Sequence, residues 1–140
     1  MARRGFLFAG TSNAAATDAG LLILRVFAGV SLALAHGLGK LPPSDGFIKA
    51  VGELGYPLPF VFTWAAALAE FGGGLLLALG LFTRPSALLI AITMATAGFL
   101  RHAPDPYGRK ELAFLYLAVA ILYVLAGAGR YSIDAMLRKR

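Results

Sequence analysis

The sequence predicts an all-α membrane protein, a four-helix bundle with short interfacial helices. Three observations carry that prediction. Of 140 residues, 59% are hydrophobic and only 14% charged, whereas an average soluble chain carries about 25% charged residues. Mean hydropathy is +0.74. The apolar residues are also gathered into four blocks. Between Asp18 and Lys40 the only ionisable residues are Arg25 and His36. Leu58 to Phe82 holds Glu70 alone, and Pro85–Leu100 and Leu112–Gly129 hold none. Each block reaches or approaches the roughly 20 residues that a helix needs to cross hydrocarbon.

Residues 1–18 begin MARRGFLFAG. Arg3-Arg4 before Gly-Phe-Leu hints at an export signal, but Phe6–Ala9 is shorter than the roughly 7–15 apolar residues such a signal needs. The segment therefore reads as a cytoplasmic tail. Residues 19–129 form the bundle. The first helix is expected from Ala19 to Leu41, capped by Thr17 or Asp18 and stopped by Pro42-Pro43. Ser44 then caps a short helix with Phe47, Ile48, Val51 and Leu54 at helical spacing. Too short to span, it is expected to roof the outer mouth of the bundle. The second helix covers Leu58–Phe82. Thr83-Arg84-Pro85 reads as a tight turn with Pro85 opening the third helix, which ends near Arg101-His102. The fourth runs from Lys110 to Ala128. Residues 130–140 form a basic interfacial segment, with Ser132 as cap and Ile133, Met136 and Leu137 on one face.

Lys and Arg in short flanks set orientation, the richer side facing the cytoplasm. Arg3, Arg4, Arg84, Arg130, Arg138, Lys139 and Arg140 share one side, and Lys40, Lys49, Arg101, Arg109 and Lys110 the other. Seven against five places both termini in the cytoplasm. Small residues spaced by four predict close helix packing: Ser31, Ala35 and Gly39; Ala65, Ala69 and Gly73; Ala87, Ala91 and Ala95. The net charge of +6 flanks the apolar blocks, which argues for headgroup contact and against nucleic acid. With no cysteine, the chain has no thiol of its own for disulfide or iron–sulfur chemistry.

Ionisable groups within a span cost about 2.5–3.5 kcal/mol each at mid-helix on insertion scales. Arg25, His36 and Lys40 fall on one stripe of the first helix, Glu70 lies near the middle of the second, and His102 and Glu111 sit at the outer ends of the third and fourth. One reading is a buried polar pocket formed by Arg25, His36, Lys40, Glu70, His102 and Glu111. The other is a set of structural ion pairs, Glu70 with Arg25 or His36 and Glu111 with Lys40 or His102. Two imidazoles and two carboxylates, from His36, Glu70, His102 and Glu111, suit a metal chemically. The Glu-x-x-His signature of carboxylate bundles is missing, however, so no metal is assigned. Trp64 and Tyr56 read as interfacial anchors. Tyr116 and Tyr123 read as packing residues whose hydroxyls are satisfied by neighbours.

Several separated strings resemble the DoxX family of four-helix membrane proteins over about residues 20–137. They are Arg25 with HGLGK, Glu70 followed by glycines and LGLFTR, Glu111 opening the last helix, and the ending GxGxxSID. The resemblance implies a bacterial plasma-membrane protein with a redox-linked role, since members are described as quinol oxidase or thiosulfate:quinone oxidoreductase subunits or partners in such complexes. It does not identify an electron donor. The leading expectation is a redox-associated subunit whose pocket engages a quinone-like molecule or docks a redox protein partner, with His36 and Glu70 as the proton-handling pair. Apart from the quinone, no cofactor motif is evident. The alternatives are a non-enzymatic assembly factor or scaffold, and a small-molecule or metal transporter. Catalytic residues are unassigned, and the bilayer and a second copy of the chain complete the expected partners.

Overall fold

The computed structural model describes residues 13–139; the double arginine of the tail lies outside them. Among the described residues six α-helices follow in order: α1 Ala14–Ser31, α2 Asp45–Glu53, α3 Pro59–Leu79, α4 Thr83–Ala95, α5 Tyr107–Ala126 and α6 Ile133–Arg138. No strand occurs among the described residues. Two of the helices do not end where their α-turns end. α1 continues through a π-helical turn at Leu32–Gly37 and a 3₁₀ turn to Lys40, and α4 continues through a π-helical turn at Thr96–Arg101.

α1 starts five residues earlier than expected. Asn13 caps it, its side chain accepting from Ala15 N–H at 3.0 Å, and Asp18, one of the expected caps, instead accepts from Arg130 N–H at 3.0 Å. Ser44 caps α2 as expected. α3 closes in a Schellman arrangement. Gly80 N–H reaches Leu77 O and Leu81 N–H reaches Leu76 O, each at 3.0 Å, with Gly80 at φ +67°. The turn to α4 is thus Gly80–Phe82 rather than 83–85, and Pro85 lies within the first turn instead of opening it. The N-terminus of α4 is capped from afar: the Asp134 carboxylate takes Phe82 and Thr83 N–H, both at 2.9 Å. α5 begins at Tyr107, one turn before Lys110, because Pro106 supplies its extended cap residue.

Three helical stretches are long and apolar enough to cross a membrane: Ala14–Lys40, Pro59–Leu79 and Thr83–Arg101. α5 is comparably long but carries Arg109, Lys110 and Glu111 in its first turns. The outer surface is apolar. Ile23, Phe27, Leu34, Phe60, Leu88, Ile92, Leu115 and Leu125 are all exposed, which suits a lipid-facing envelope. Inside, Leu32, Leu77, Ile90, Met94 and Tyr123 form the core with Ala87, Ala91 and Ala120.

α1 and α3 meet backbone to backbone. The contact runs through Gly29, Ala33 and Gly37 of α1, not through Ser31, Ala35 and Gly39. A two-residue offset turns a helix by about 200°, so the expected stripe lies on the opposite face, where Ala35 and Gly39 are exposed. A Cβ on Gly37 would sit 2.4 Å from Phe71 N, and one on Gly29 would sit 2.5 Å from Gly74 O. On α3, Ala69 and Gly73 are buried as expected, Gly73 against Ile90 of α4, whereas Ala65 is exposed. Ala87 and Ala91 of α4 are buried too.

Burial opposes ionisation of Asp134. The N–H groups of Thr83 and Phe82 and the nearby Arg25 guanidinium outweigh it and hold the carboxyl below its ordinary value. A depressed native pKa stabilises the fold fully above the unfolded value of about 3.9 and is lost as pH falls through the native value. Asp134→Ala should therefore cost about 1 kcal/mol at neutral pH, the usual scale for a lost cap. The deficit should shrink below about pH 4, as read by detergent-state melting across a pH series. Valine substitutions test the helix contact. Gly37→Val should destabilise by at least the ~1–3 kcal/mol of an overpacked core. Gly39→Val, where a Cβ meets nothing within 4 Å, should leave the melting temperature unchanged.

Candidate functional site

The polar residues expected to converge divide between the two ends of the bundle. Arg25 and His36 share a stripe, but eleven residues of helix separate them by about 16 Å along the axis.

At one end Arg25 is 1% exposed and surrounded by backbone carbonyls. Its Nε donates to Ala78 O at 3.2 Å, Nη1 to Ala128 O, and Nη2 to Tyr131 O at 2.8 Å. Ala78 lies in the last turn of α3 and Ala128 just beyond α5. Carbonyls at helix C-termini lack intrahelical partners and carry the negative end of the dipole. One guanidinium therefore caps α3 and holds the chain that follows α5 at two points. Gly80 makes room for it, since a Cβ there would lie 2.8 Å from Arg25 Cζ. Arg25 is consequently not part of the pocket expected for it.

At the other end lies a cavity of about 160 Å³. Its polar lining is His36, Lys40, Glu70, His102, Arg109 and Tyr116, and its apolar lining is Leu32, Met94, Ala97, Leu112 and Ala113. Glu70 is 2% exposed. Lys40 Nζ lies 2.6 Å from both of its carboxylate oxygens. Glu70 thus pairs with Lys40, not with Arg25 or His36. Gly37 makes this reach available: with no side chain it presses α1 onto the backbone at Glu70, and Lys40 follows one turn later.

His36 meets the Tyr116 ring edge to face at 5.8 Å. His102 Nδ1 lies 2.7 Å from Asp105 Oδ2. The hydrogen bond from His102 and the charges of Arg109 and Arg101 outweigh desolvation and hold the Asp105 carboxyl below its ordinary value. An ionised Asp105 accepts, so Nδ1 carries the proton and Nε2 remains available to the cavity. Both π-helical turns border this space, contributing Leu32 and His36 from one and Ala97 from the other. Such turns are rare and concentrate at functional sites.

Glu111 is exposed and outside the lining, and among the described residues it makes no ion pair within 4.0 Å. It lies about 200° around α5 from Arg109 and about 140° from Tyr116. The spacing Arg109, Leu112, Ala113, Tyr116 is the helical-face signal that identifies the α5 lining. Tyr116 and Tyr123 were both expected to pack with their hydroxyls satisfied by neighbours; Tyr123 donates to Leu21 O at 2.6 Å, whereas Tyr116 lines the cavity and has no hydrogen bond among the described residues. Residues 44–54 do not line the cavity; α2 reaches it indirectly, through the Phe47 ring 5.5 Å from Lys40 Nζ. Tyr56, expected as an anchor, bonds Thr96 Oγ1 at 2.9 Å. Among the described residues no cluster of three or more His, Cys, Asp or Glu side chains is placed to hold a metal ion.

The DoxX family model matches residues 20–103, from the middle of α1 through the His102 end of α4. The chain is 36% identical to the inner membrane protein YqjF of Escherichia coli over 88% of its own length and 95% of that protein's. It is 32% identical to CatD of Bacillus subtilis, provisionally named an oxidoreductase, over 87% and 90% of the two lengths. The inner membrane protein YphA of Escherichia coli is 33% identical over 81% and 88%. No solved structure matches the chain. An all-α bundle with an apolar envelope and matches of this extent settle the classification: this chain is an integral membrane protein of the DoxX family.

Proposed function

We propose that the chain is a redox-associated membrane subunit whose Lys40–Glu70 cavity receives the ring of a quinone, electrons arriving from a partner protein. The cavity itself is the observation that carries this reading. Its volume of about 160 Å³ compares with the roughly 150 Å³ cavity that takes up benzene in an engineered protein. One substituted six-membered ring suits that space, with an isoprenoid tail left in lipid. Reduction of a quinone to a quinol takes two electrons and two protons, one proton for each carbonyl oxygen. His36, Tyr116 and His102 supply hydrogen-bonding groups for those oxygens, and imidazole is the side chain suited to proton exchange near neutral pH. The relative provisionally named an oxidoreductase supports the same direction.

Four crossings with both termini in the cytoplasm complete the reading. The contact between Asp18 and Arg130 N–H brings the start of α1 and the chain after α5 to one side, which supports an even number of crossings, and the excess of Lys and Arg falls on that side.

A second reading, a non-enzymatic assembly factor or scaffold, is favoured by the complete engagement of Arg25 and Glu70 by protein groups. The pair Lys40–Glu70 separates the two. Glu70→Gln strands the ammonium and should cost roughly 1–3 kcal/mol, less than a fully buried broken pair because Lys40 is partly exposed. Adding Lys40→Met should restore abundance and melting temperature. Under the quinone reading the double variant, altered at two residues of the cavity lining, still binds a short-tailed ubiquinone analogue more weakly than the wild type; under the scaffold reading it recovers every function.

Direct titration of the purified protein with that analogue should give saturable binding. His36→Ala and Tyr116→Phe should each weaken it about fivefold to tenfold, the scale of one lost hydrogen bond. Unchanged affinity in both variants would exclude the cavity as the binding site.

A further inference from the structure

At the Arg25 end a second concavity, of about 510 Å³, opens between the start of α4, the chain after α5, and α6. Three guanidinium side chains from three segments line it: Arg84 in the first turn of α4, Arg130 beyond α5 and Arg138 at the end of α6. Among the described residues none of the three has a carboxylate within 4.0 Å. The two acids in the same lining are committed to backbone. Asp18 accepts from Arg130 N–H, and Asp134 takes the N–H groups of Phe82 and Thr83. Asp134 therefore already fills the N-terminus of α4, and the helix dipole there is spent on it.

Beneath the arginines, Thr83 is buried and its hydroxyl lies beside the Asp134 carboxylate, so the donors that line the concavity are the guanidinium groups. The surroundings are greasy. Phe82 precedes Thr83, Leu125 precedes Ala126, and Met136 and Leu137 precede Arg138, and all four are exposed. Cationic donors set among exposed apolar side chains match a molecule with an anionic head and hydrocarbon tails, which free phosphate does not have.

We propose that this concavity binds the phosphate of an anionic phospholipid headgroup, held by Arg84, Arg130 and Arg138, while the acyl chains run along Phe82, Leu125 and Met136. Arginine is suited to the task because its fork meets phosphate oxygens in pairs. The lipid would bridge α4, the chain after α5, and α6, the same segments that Arg25 and Asp134 join from inside.

The test follows the melting temperature of the full-length protein in detergent during titration with phosphatidylglycerol, phosphatidylcholine and inorganic phosphate. Phosphatidylglycerol should raise it saturably and phosphatidylcholine should not. Arg84→Gln and Arg130→Gln should each weaken the phosphatidylglycerol midpoint about fivefold, the usual scale for one arginine at an anionic surface. Arg138→Gln, at an exposed position, replaces either arginine variant that fails to fold. Equal midpoints in the wild type and all variants would overturn the proposal. A full-sized shift from inorganic phosphate would also overturn it, by making the ligand a soluble anion.

Discussion

The backbone contact between α1 and α3 is the constraint on which the rest of this structure depends. Gly29 and Gly37 of α1 allow an approach that any side chain would block, and the contact ends in an ionisable residue of α1 or its extension in each direction. Beyond Gly29 lies Arg25, bonded to Ala78 O of α3; beyond Gly37 lies Lys40, bonded to Glu70 of α3. In lipid, apolar burial does not drive helices together, so close packing and polar contacts must do it. Here both act on one pair of helices. The geometry also explains why the charges are tolerated: the glycines bring α3 close enough for each to find partners, and an unpaired charge at these depths would be costly.

The two ends solve the same problem differently, and the difference decides where ligand chemistry belongs. Arg25 is surrounded by carbonyls from three segments, so the charge is fully used in holding backbone. Nothing remains for a ligand. At the Lys40 end the charge is neutralised by one carboxylate, and the imidazoles and phenol beside it border a cavity. The first arrangement is a latch; the second leaves donors facing open space.

Much of this was legible in the sequence. Four apolar blocks predicted the four long helices, and Ser44 and Ser132 marked real caps. The gathering of His36, Lys40, Glu70 and His102 was also legible, because His36, Lys40 and His102 sit toward the same end of their helices and Glu70, near mid-helix, is within reach of the long Lys40 side chain. Arg25 and Glu111 were misplaced for separate geometric reasons. Helical periodicity puts Arg25 on the His36 stripe, but a stripe says nothing of depth. Glu111 has the right depth and the wrong face, which the spacing of Arg109 and Tyr116 would have exposed. The α1 stripe failed because two small-residue series two positions apart, Gly29-Ala33-Gly37 and Ser31-Ala35-Gly39, are equally regular. Only the position of α3 chooses between them. Asp134 capping α4 joins residues some fifty positions apart, beyond any local signal.

α5 shows how a single helix face serves both ends. Tyr116 and Tyr123 are seven residues apart and so lie within about 20° of one another. Tyr123 is completely buried and donates to Leu21 O, tying α5 to α1 near the Arg25 latch. Two turns away Tyr116 packs against His36 and lines the cavity. The residue type and the helix face are the same; what differs is the backbone of α1 opposite. Near Leu21 that backbone is α-helical, whereas around His36 it is π-helical. A π-turn widens the helix and breaks its regular ladder of side chains, and α4 carries a second one at Thr96–Arg101 across the same space. Two such turns facing one cavity, with a tyrosine and two histidines between them, place the chemically adaptable part of the bundle at this end and leave the other rigid.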